Sequence, residues 1–407
     1  EGTYYWRIEG EKKPFEKVDL ILNSFGQDLT EWVWWNSSWQ YKREISNLTG
    51  YISVMTINYD SDMQSDFDDL RFTDSSESSE LNYTIEDKSD GNWADVRVNN
   101  LGADSIYMYY DNPSATTTSN ASAVYYNPVL LYYFDEGSGT TAIDSSGQNN
   151  GALNNGVLLN LAGKVKTAYS FDGGDDLVIT DNSITYDKYT WAFWIKRTGS
   201  GGTNPRILTP SNAGWILWQK DASKGVGFYG TSLLTSTPPA LNTWEHYVIT
   251  YDRTTTYGDI YKDGSKVVSS GSASNSAASG SWVIGHKEST AIHGDSWQGL
   301  IDEVIIWNKQ LSETQIKAIY NTTLPNYVLG TEESAPPTDT CTYSSGNWNV
   351  NCSDNCTITS DVTGDTGSNL SISGTGKFIM DADISGFTKY HIDGNCVVTC
   401  RNGCFKG

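Results

Sequence analysis

Short runs in which apolar and polar residues alternate, each cut off within a few positions by Gly, Asn, Asp or Ser, recur along almost the whole chain, while apolar residues at helical spacing are nearly absent. A period of two puts alternate side chains on opposite faces of an extended strand, and many short strands between turn residues are what all-β sandwiches and barrels require. The chain is therefore expected to be all-β. Its 407 residues exceed what one small core holds, so a multi-domain organisation is expected. Aromatic residues make up 13% and charged residues only 19%, the reverse of the composition that keeps a chain unfolded. With 27 Lys and Arg against 49 Asp and Glu, the net charge of −22 repels phosphate and argues against nucleic acid or anionic membrane as a partner. The longest apolar stretch, Val129 to Phe134, is far short of the roughly 20 residues that cross a bilayer, so no membrane span is expected. Glu1 opens no basic-then-apolar leader; an export signal is expected to have been removed or to lie outside this sequence.

All six cysteines, Cys341, Cys352, Cys356, Cys396, Cys400 and Cys404, lie in the last part of the chain, in a tail otherwise rich in Ser, Thr, Asn, Asp and Gly. Such a segment has too little apolar surface to hold itself, and an even count of cysteines reads as disulfide staples made in an oxidising exterior, with the pairing open. Zinc is the rival reading, but the spacing is C-x3-C rather than C-x2-C and only His391 is near. Asn36, Asn47, Asn82, Asn120, Asn321, Asn351, Asn355 and Asn369 each open an Asn-x-Ser/Thr glycosylation sequon, which fits an extracellular, cell-surface protein. Within 341–407, the runs Leu370-Ser371-Ile372, Lys377 to Met380 and His391-Ile392 are read as recurring at about nine-residue spacing with Gly between them, the pattern of a small sheet or a short β-solenoid. Residues 331–340, with Glu332, Glu333, Pro336 and Pro337, read as a semi-extended linker. At the other end, Tyr4, Trp6, Ile8 and Val18, Leu20, Leu22 suggest a hairpin arm over 1–35. Such an arm is either an edge strand of the next domain or a strand donated to a neighbouring subunit.

Between these ends the chain carries two series of motifs. Residues 36–123 contain Trp39-Gln40-Tyr41-Lys42-Arg43, then Asp66-Phe67-Asp68-Asp69-Leu70-Arg71-Phe72, then a strand ending at Asn112-Pro113. This resembles a domain of uncharacterised function found in bacterial and archaeal surface proteins, and implies a small N-terminal β-sandwich. Phe67 and Asp111 stand where that family has glycines. Residues 124–330 contain in order Leu131-Tyr132-Tyr133-Phe134-Asp135-Glu136-Gly137, Asp144-Ser145-Ser146-Gly147, Ala168 to Gly173, Trp191 to Lys196, Trp244 to Tyr247 and Gly299 to Val304. This series resembles a laminin-G-like domain and implies a central concanavalin A-like jelly roll, followed by a disulfide-rich C-terminal β domain. Patterning agrees: Trp191, Phe193 and Ile195 share one strand face and Ala192 and Trp194 the other, as where both faces are covered. Lys262-Asp263-Gly264 reads as a hairpin turn, and Ser312 as the cap of a short helix carrying Ile316 and Ile319.

Chemistry has few places to sit. Glucanases of this fold carry E-x-D-x-x-E on one strand, whereas Asp302 and Glu303 are adjacent and expected on opposite faces, so no catalytic residue is assigned and the chain is read as not an enzyme. His246, His286, His293 and His391 are scattered outside any nucleophile or metal motif. The turn at Asp144, Gly147 and Asn149 presents a carboxylate beside backbone carbonyls, as calcium prefers. The laminin-G resemblance implies that its aspartate joins Asp302 in one structural Ca2+ site. The acidic turns Asp66–Asp69 and Asp172–Asp176 read as solvated loops. Trp215, Trp218, Trp282 and Trp297 have polar neighbours and are the candidate platforms for a glycan ring. The resulting expectation is a non-enzymatic prokaryotic surface protein, either an adhesin or a filament subunit that self-associates into a homopolymer through its N-terminal arm or C-terminal domain. The alternative is a glycan-binding lectin, and a less favoured one a polysaccharide-degrading hydrolase.

Overall fold

The computed structural model describes residues 34–407, apart from 148, 184–185, 202–204, 211–216, 220–224, 229–231, 236, 274–279, 287–294, 336–340, 393–394, 402–404 and 406–407. The expected arm and its donor strand fall outside the described residues, as do His293, Trp215 and Cys404.

The first module is a two-sheet sandwich. One sheet runs in the order Val328–Leu329, Tyr41–Ser46, Ile106–Tyr110, Arg71–Asp74; the other runs Thr322–Thr323, Ile52–Asn58, Trp93–Asn99, Tyr83–Ser89. Alternate residues such as Ala94, Val96 and Val98 pack inward with Ile45, Phe72 and Met108. Phe67 and Asp111 hold φ of +60° and +62°, the left-handed backbone a glycine would occupy, so both turns keep their shape without one. Phe67 is fully buried, and that burial offsets the backbone strain. The expected linker is in part structure, since Glu333–Ser334 pairs with Lys42 and Tyr41, and before it, within the stretch read as jelly roll, Val328–Leu329 pairs with Ser46 and Ile45. Thr322–Thr323 runs parallel to Ile52–Ser53 in the other sheet. The sandwich is thus closed by strands that follow the jelly roll in sequence, because Tyr41–Ser46 and Ile52–Asn58 would otherwise be bare edges. The jelly roll is an insertion between two parts of the sandwich.

Two large sheets make the jelly roll. One runs Leu158–Ala162, Thr167–Asp172, Gln298–Trp307, Lys188–Arg197, Trp244–Asp252, Tyr257–Lys262, Ser265–Ser272. The other runs from Val226–Phe228 through Arg206–Pro210, Ser281–Ile284 and Leu177–Ser183 to Gly151–Asn154 and Thr141–Ala142. Trp191, Phe193 and Ile195 enter the core between them. Ala192 faces the other way, into a second cluster formed with Ile52, Tyr125, Trp307 and the helix residues Ile316 and Ile319. That helix, Glu313–Tyr320, starts at Ser312 with a capping box closed by Gln315. Asp263 and Gly264, at φ of +49° and +73°, turn the expected hairpin.

The C-terminal module is a parallel β-solenoid of three rungs. Trp348 stacks on Leu370 and Leu370 on Tyr390, steps of 22 and 20 residues. Cys356 stacks on Phe378 and Phe378 on Val398 in the same way, and Val362 stacks on Ile384. Cys341 bonds to Cys356, and Cys352 to Cys396. Cys400 is also disulfide-bonded. The Cys352–Cys396 bridge joins the first rung to the third, past Gly376 in the second. A Cβ on Gly376 would lie 2.0 Å from the Cys352 carbonyl, so the missing side chain makes room for the bridge.

Candidate functional site

The densest chemistry lies where the sandwich meets the jelly roll. Arg97, on Trp93–Asn99, points away from the sandwich core and is fully buried. Its Nε donates to Glu86 Oε2 at 2.7 Å, Nη2 to Asp135 Oδ2 at 2.9 Å, and Nη1 to Glu303 Oε1 at 2.7 Å and the Tyr125 hydroxyl at 2.9 Å. The guanidinium lies 3.7 Å from the Tyr133 ring centre. Lys166 adds a second cation, donating to Glu86 Oε1 at 3.0 Å and approaching Asp95 Oδ2 at 2.8 Å. Glu86 and Asp95 come from the sandwich, while Asp135, Lys166 and Glu303 come from the jelly roll, so every ion pair of Arg97 and Lys166 ties or flanks the joint.

Local backbone sets this up. Glu303 sits at φ +51°, where the pairing of Gln298–Trp307 with Lys188–Arg197 slips register between Ala192 and Trp194. The bulge leaves Asp302 and Glu303 both buried but engaged with different partners. Asp302 Oδ2 accepts from the Lys164 and Val165 amides at 2.7 and 3.0 Å, and Oδ1 has no partner among the described residues.

Two cations cannot neutralise this many carboxylates in a dry junction, and the titration behaviour follows. Burial pushes Asp135 up to about 8, with Glu86 adding to the rise against the pull of Arg97. Burial likewise lifts Glu303 to about 7 despite Arg97. For Glu86 burial is outweighed by Arg97, a hydrogen bond with Asp135 and Lys166, and its pKa falls to about 2. Asp302 is raised well above the carboxylate range by burial and by Glu303. Burial works against the Arg97 charge, but Glu303 and Glu86 overcome it and keep the guanidinium protonated.

The residues proposed for calcium are not assembled into one site. The Asp144 carboxylate closes its own turn, accepting from the Leu131, Ser146 and Asn149 amides and the Ser146 hydroxyl at 2.7–2.9 Å. Leu131 pairs with Ile305, and the bulge at Glu303 lies between Ile305 and Asp302 on that strand. Gly147 supplies the turn's positive φ. Asn149 Oδ1 and Asp302 Oδ1 are buried without partners among the described residues, but they sit on separate segments. These residues do not fit a shared Ca2+ site.

Trp282 and Trp297, each 1% exposed, belong to the jelly-roll core and offer no open ring face to a sugar. Trp218 lies on the Leu217–Gln219 strand, and Trp215 is outside the described residues. The acidic turns are less solvated than their composition suggests. Asp69 is fully buried and accepts from the Gln64, Asp111 and Asn112 amides, and Asp176 is 3% exposed. His246 is buried between Trp194 and Tyr320, and burial lowers its pKa to about 3, so it is neutral. Of the sequon asparagines, Asn82 and Asn120 are exposed, whereas Asn321 and Asn355 spend Nδ2 on the carbonyls of Lys317 and Ser353.

The junction escaped sequence reasoning because its members are far apart in the chain. The one available signal was parity: in Trp93–Asn99 the inward residues are apolar, yet Asp95 and Arg97 occupy the opposite face.

Comparison with known proteins agrees with the modular order. Residues 66–149 match the model of a domain of unknown function (DUF2341), and residues 171–317 match that of the concanavalin A-like lectin/glucanases superfamily (Laminin_G_3). No curated protein matches the chain. Among solved structures, domain 4 of AbnA, a GH43 extracellular arabinanase from Geobacillus stearothermophilus, in complex with arabinotriose, is 16% identical with a TM-score of 0.37, over 47% of this chain and 98% of that one. Trypanosoma rangeli sialidase in complex with 2,3-difluorosialic acid is 13% identical with a TM-score of 0.38, over 57% of this chain and 41% of that one. The botulinum neurotoxin serotype D ligand binding domain in complex with N-acetylneuraminic acid is 19% identical with a TM-score of 0.35, over 47% and 50%.

Proposed function

We propose that this chain is an exported, non-enzymatic structural subunit of a cell surface assembly, in which the sandwich is the connecting module and the jelly roll is displayed from it. The observation that carries this reading is the insertion. The chain enters the sandwich at Tyr41 and leaves it at Ser334, and these two residues are paired neighbours. The Ala335 amide extends the contact by donating to the Gln40 carbonyl at 2.6 Å. The chain therefore enters and leaves the sandwich at neighbouring positions, while the jelly roll is held to it by the Arg97 junction. Carboxylates that a glycosidase would turn toward a cleft, Asp302 and Glu303, are instead consumed by that joint and by the 164–165 turn. Disulfides in the solenoid fit an oxidising compartment. No helix among the described residues is long and apolar enough to cross a membrane.

Negative-stain electron microscopy with sedimentation of the full chain tests the reading. Ordered polymers are expected; a chain that stays monomeric at every concentration overturns it. The second reading, a glycan-binding lectin, is favoured by the superfamily model over 171–317. A glycan array probed with the full chain decides it, and binding to no glycan above background removes it.

A further inference from the structure

We propose that Lys42 and Glu77 are joined by an isopeptide bond formed inside the folded sandwich, a covalent tie between the strand Tyr41–Ser46 and the turn that follows Arg71–Asp74. The bond concerns the sandwich itself and does not depend on whether the chain assembles. Lys42 stands in register with Tyr109 and Arg71, on the sheet face opposite the core residues Met108 and Phe72. Its Nζ lies 2.7 and 2.9 Å from the two Glu77 carboxylate oxygens, and the two side chains are only 5% and 8% exposed. The rings of Trp34 and Tyr107 close over the same nitrogen, 5.0 and 4.6 Å from their centres. The Tyr109 hydroxyl donates to Glu77 Oε2. Backbone strain is spent on this placement: Glu77 holds φ +55°, and it is buried in a turn where Ser75, Ser76, Ser78 and Ser79 are all exposed.

Burial is what turns this pair from an ion pair into reactants. Two opposite charges out of water recover little of their hydration from each other, so a neutral product of similar shape is favoured. Burial raises the Glu77 carboxyl above its ordinary value in spite of Lys42, which brings the neutral acid within reach. A proton passing from the ammonium to Glu77 Oε1 gives amine and acid. A nitrogen that faces both carboxyl oxygens at hydrogen-bond distance is about 3–3.5 Å from the carbon between them, a near-attack arrangement. The Nζ lone pair adds to Cδ, and the Tyr109 hydroxyl steadies the negative charge that gathers on Oε2. Nζ releases a proton to Glu333, 3.6 Å away and 36% exposed. That proton returns to Oε1, the Cδ–Oε1 bond breaks, and Oε1 leaves as water while Oε2 becomes the amide carbonyl. No oxidant or co-reactant is needed. Glu245 has similar neighbours, Lys262 Nζ and the Tyr247 hydroxyl each at 2.8 Å. Lys262 is 27% exposed, however, and water keeps that pair ionic.

Mass spectrometry of the full chain, made in a host that adds no glycans and reduced before measurement, tests the bond. The wild-type chain should weigh one water less than its sequence, and Lys42→Arg and Glu77→Ala should each weigh what their sequences require. Trypsin cuts after Lys17, Arg43, Arg71 and Lys88, so the digest should hold peptides 18–43 and 72–88 as one species, uncut after Lys42, with fragment ions that place the link at Lys42 and Glu77. Separate peptides from the wild-type chain overturn the proposal. So does a missing water that both variants retain, because it then lies elsewhere in the chain. The wild-type digest decides the matter even where a variant fails to fold. Neither mass nor digest depends on assembly, so a missing link leaves the subunit reading standing, and a chain that never polymerises leaves the link standing.

Discussion

Arg97 shows what a single buried residue can commit a fold to. Removing its side chain leaves Glu86, Asp135 and Glu303 buried without their shared cation, and Arg97→Ala should cost about 3–5 kcal/mol in urea unfolding. The same cluster sets a pH dependence whose sign follows from its shifts. Asp135 and Glu303, raised to about 8 and about 7, hold protons in the folded state that the unfolded chain has released. Their contribution is full below the ordinary carboxylate range and is lost as pH rises through neutrality to 8. Glu86, lowered to about 2, acts oppositely, losing its contribution as pH falls below its ordinary value of 4.5. Melting temperature should therefore decline from pH 5 to 8, and Asp135→Asn should flatten that decline; an unchanged slope would show that the junction does not titrate there. Gly376 is the other decisive residue. Gly376→Val should block the Cys352–Cys396 bridge and expose two thiols to alkylation, since its Cβ would meet the Cys352 carbonyl at 2.0 Å. Little of this was legible locally: beyond the parity that sets Asp95 and Arg97 opposite the apolar face of their strand, Arg97 reads as one arginine, and Gly376 reads as one more loop glycine.

Elements were more legible where periodicity ran long enough to register. The two-sided strand Lys188–Arg197, the Ser312 helix and the Asp263-Gly264 hairpin all stand where alternation and caps put them. The short runs of the tail belong to rungs of two or three short strands among the described residues, and equivalent strands recur every 20 to 22 residues rather than every nine, because one rung holds several runs. The return strands were not legible, because Val328–Leu329, at the end of the stretch read as jelly roll, and Glu333–Ser334, in the stretch read as linker, are two residues long and cannot display a period. Those strands nonetheless close the sandwich. Deleting 322–335 should remove hydrogen-exchange protection from Tyr41–Ser46 and Ile52–Asn58 while leaving Lys188–Arg197 protected; equal protection before and after would mean the return strands are dispensable.

On the scale of the whole molecule, modularity and interlocking are both present. The family models divide the chain between 149 and 171, yet Leu130–Tyr132 already belongs to a jelly-roll sheet and Thr322–Thr323 to a sandwich sheet. Sandwich and jelly roll are expected to unfold in one calorimetric transition, because the return strands and the Arg97 junction couple them; two resolved transitions with an intact Arg97 would contradict that coupling. The charge of −22 disfavours indiscriminate association, so any polymer must form through a locally complementary surface, and its growth should weaken as salt screens that contact.

The sequence by itself determined the all-β class, the oxidised tail and the acidic surface, since composition, period-two alternation and turn residues act through neighbours in the chain, and its resemblance to known families supplied the order of the modules. Only the tertiary structure decided that the jelly roll is inserted into the sandwich, that Asp302 and Glu303 serve a joint, and that Asp144 closes a turn. Those outcomes depend on groups hundreds of residues apart competing for the same buried partners, and local pattern carries no record of which pairing excludes water best.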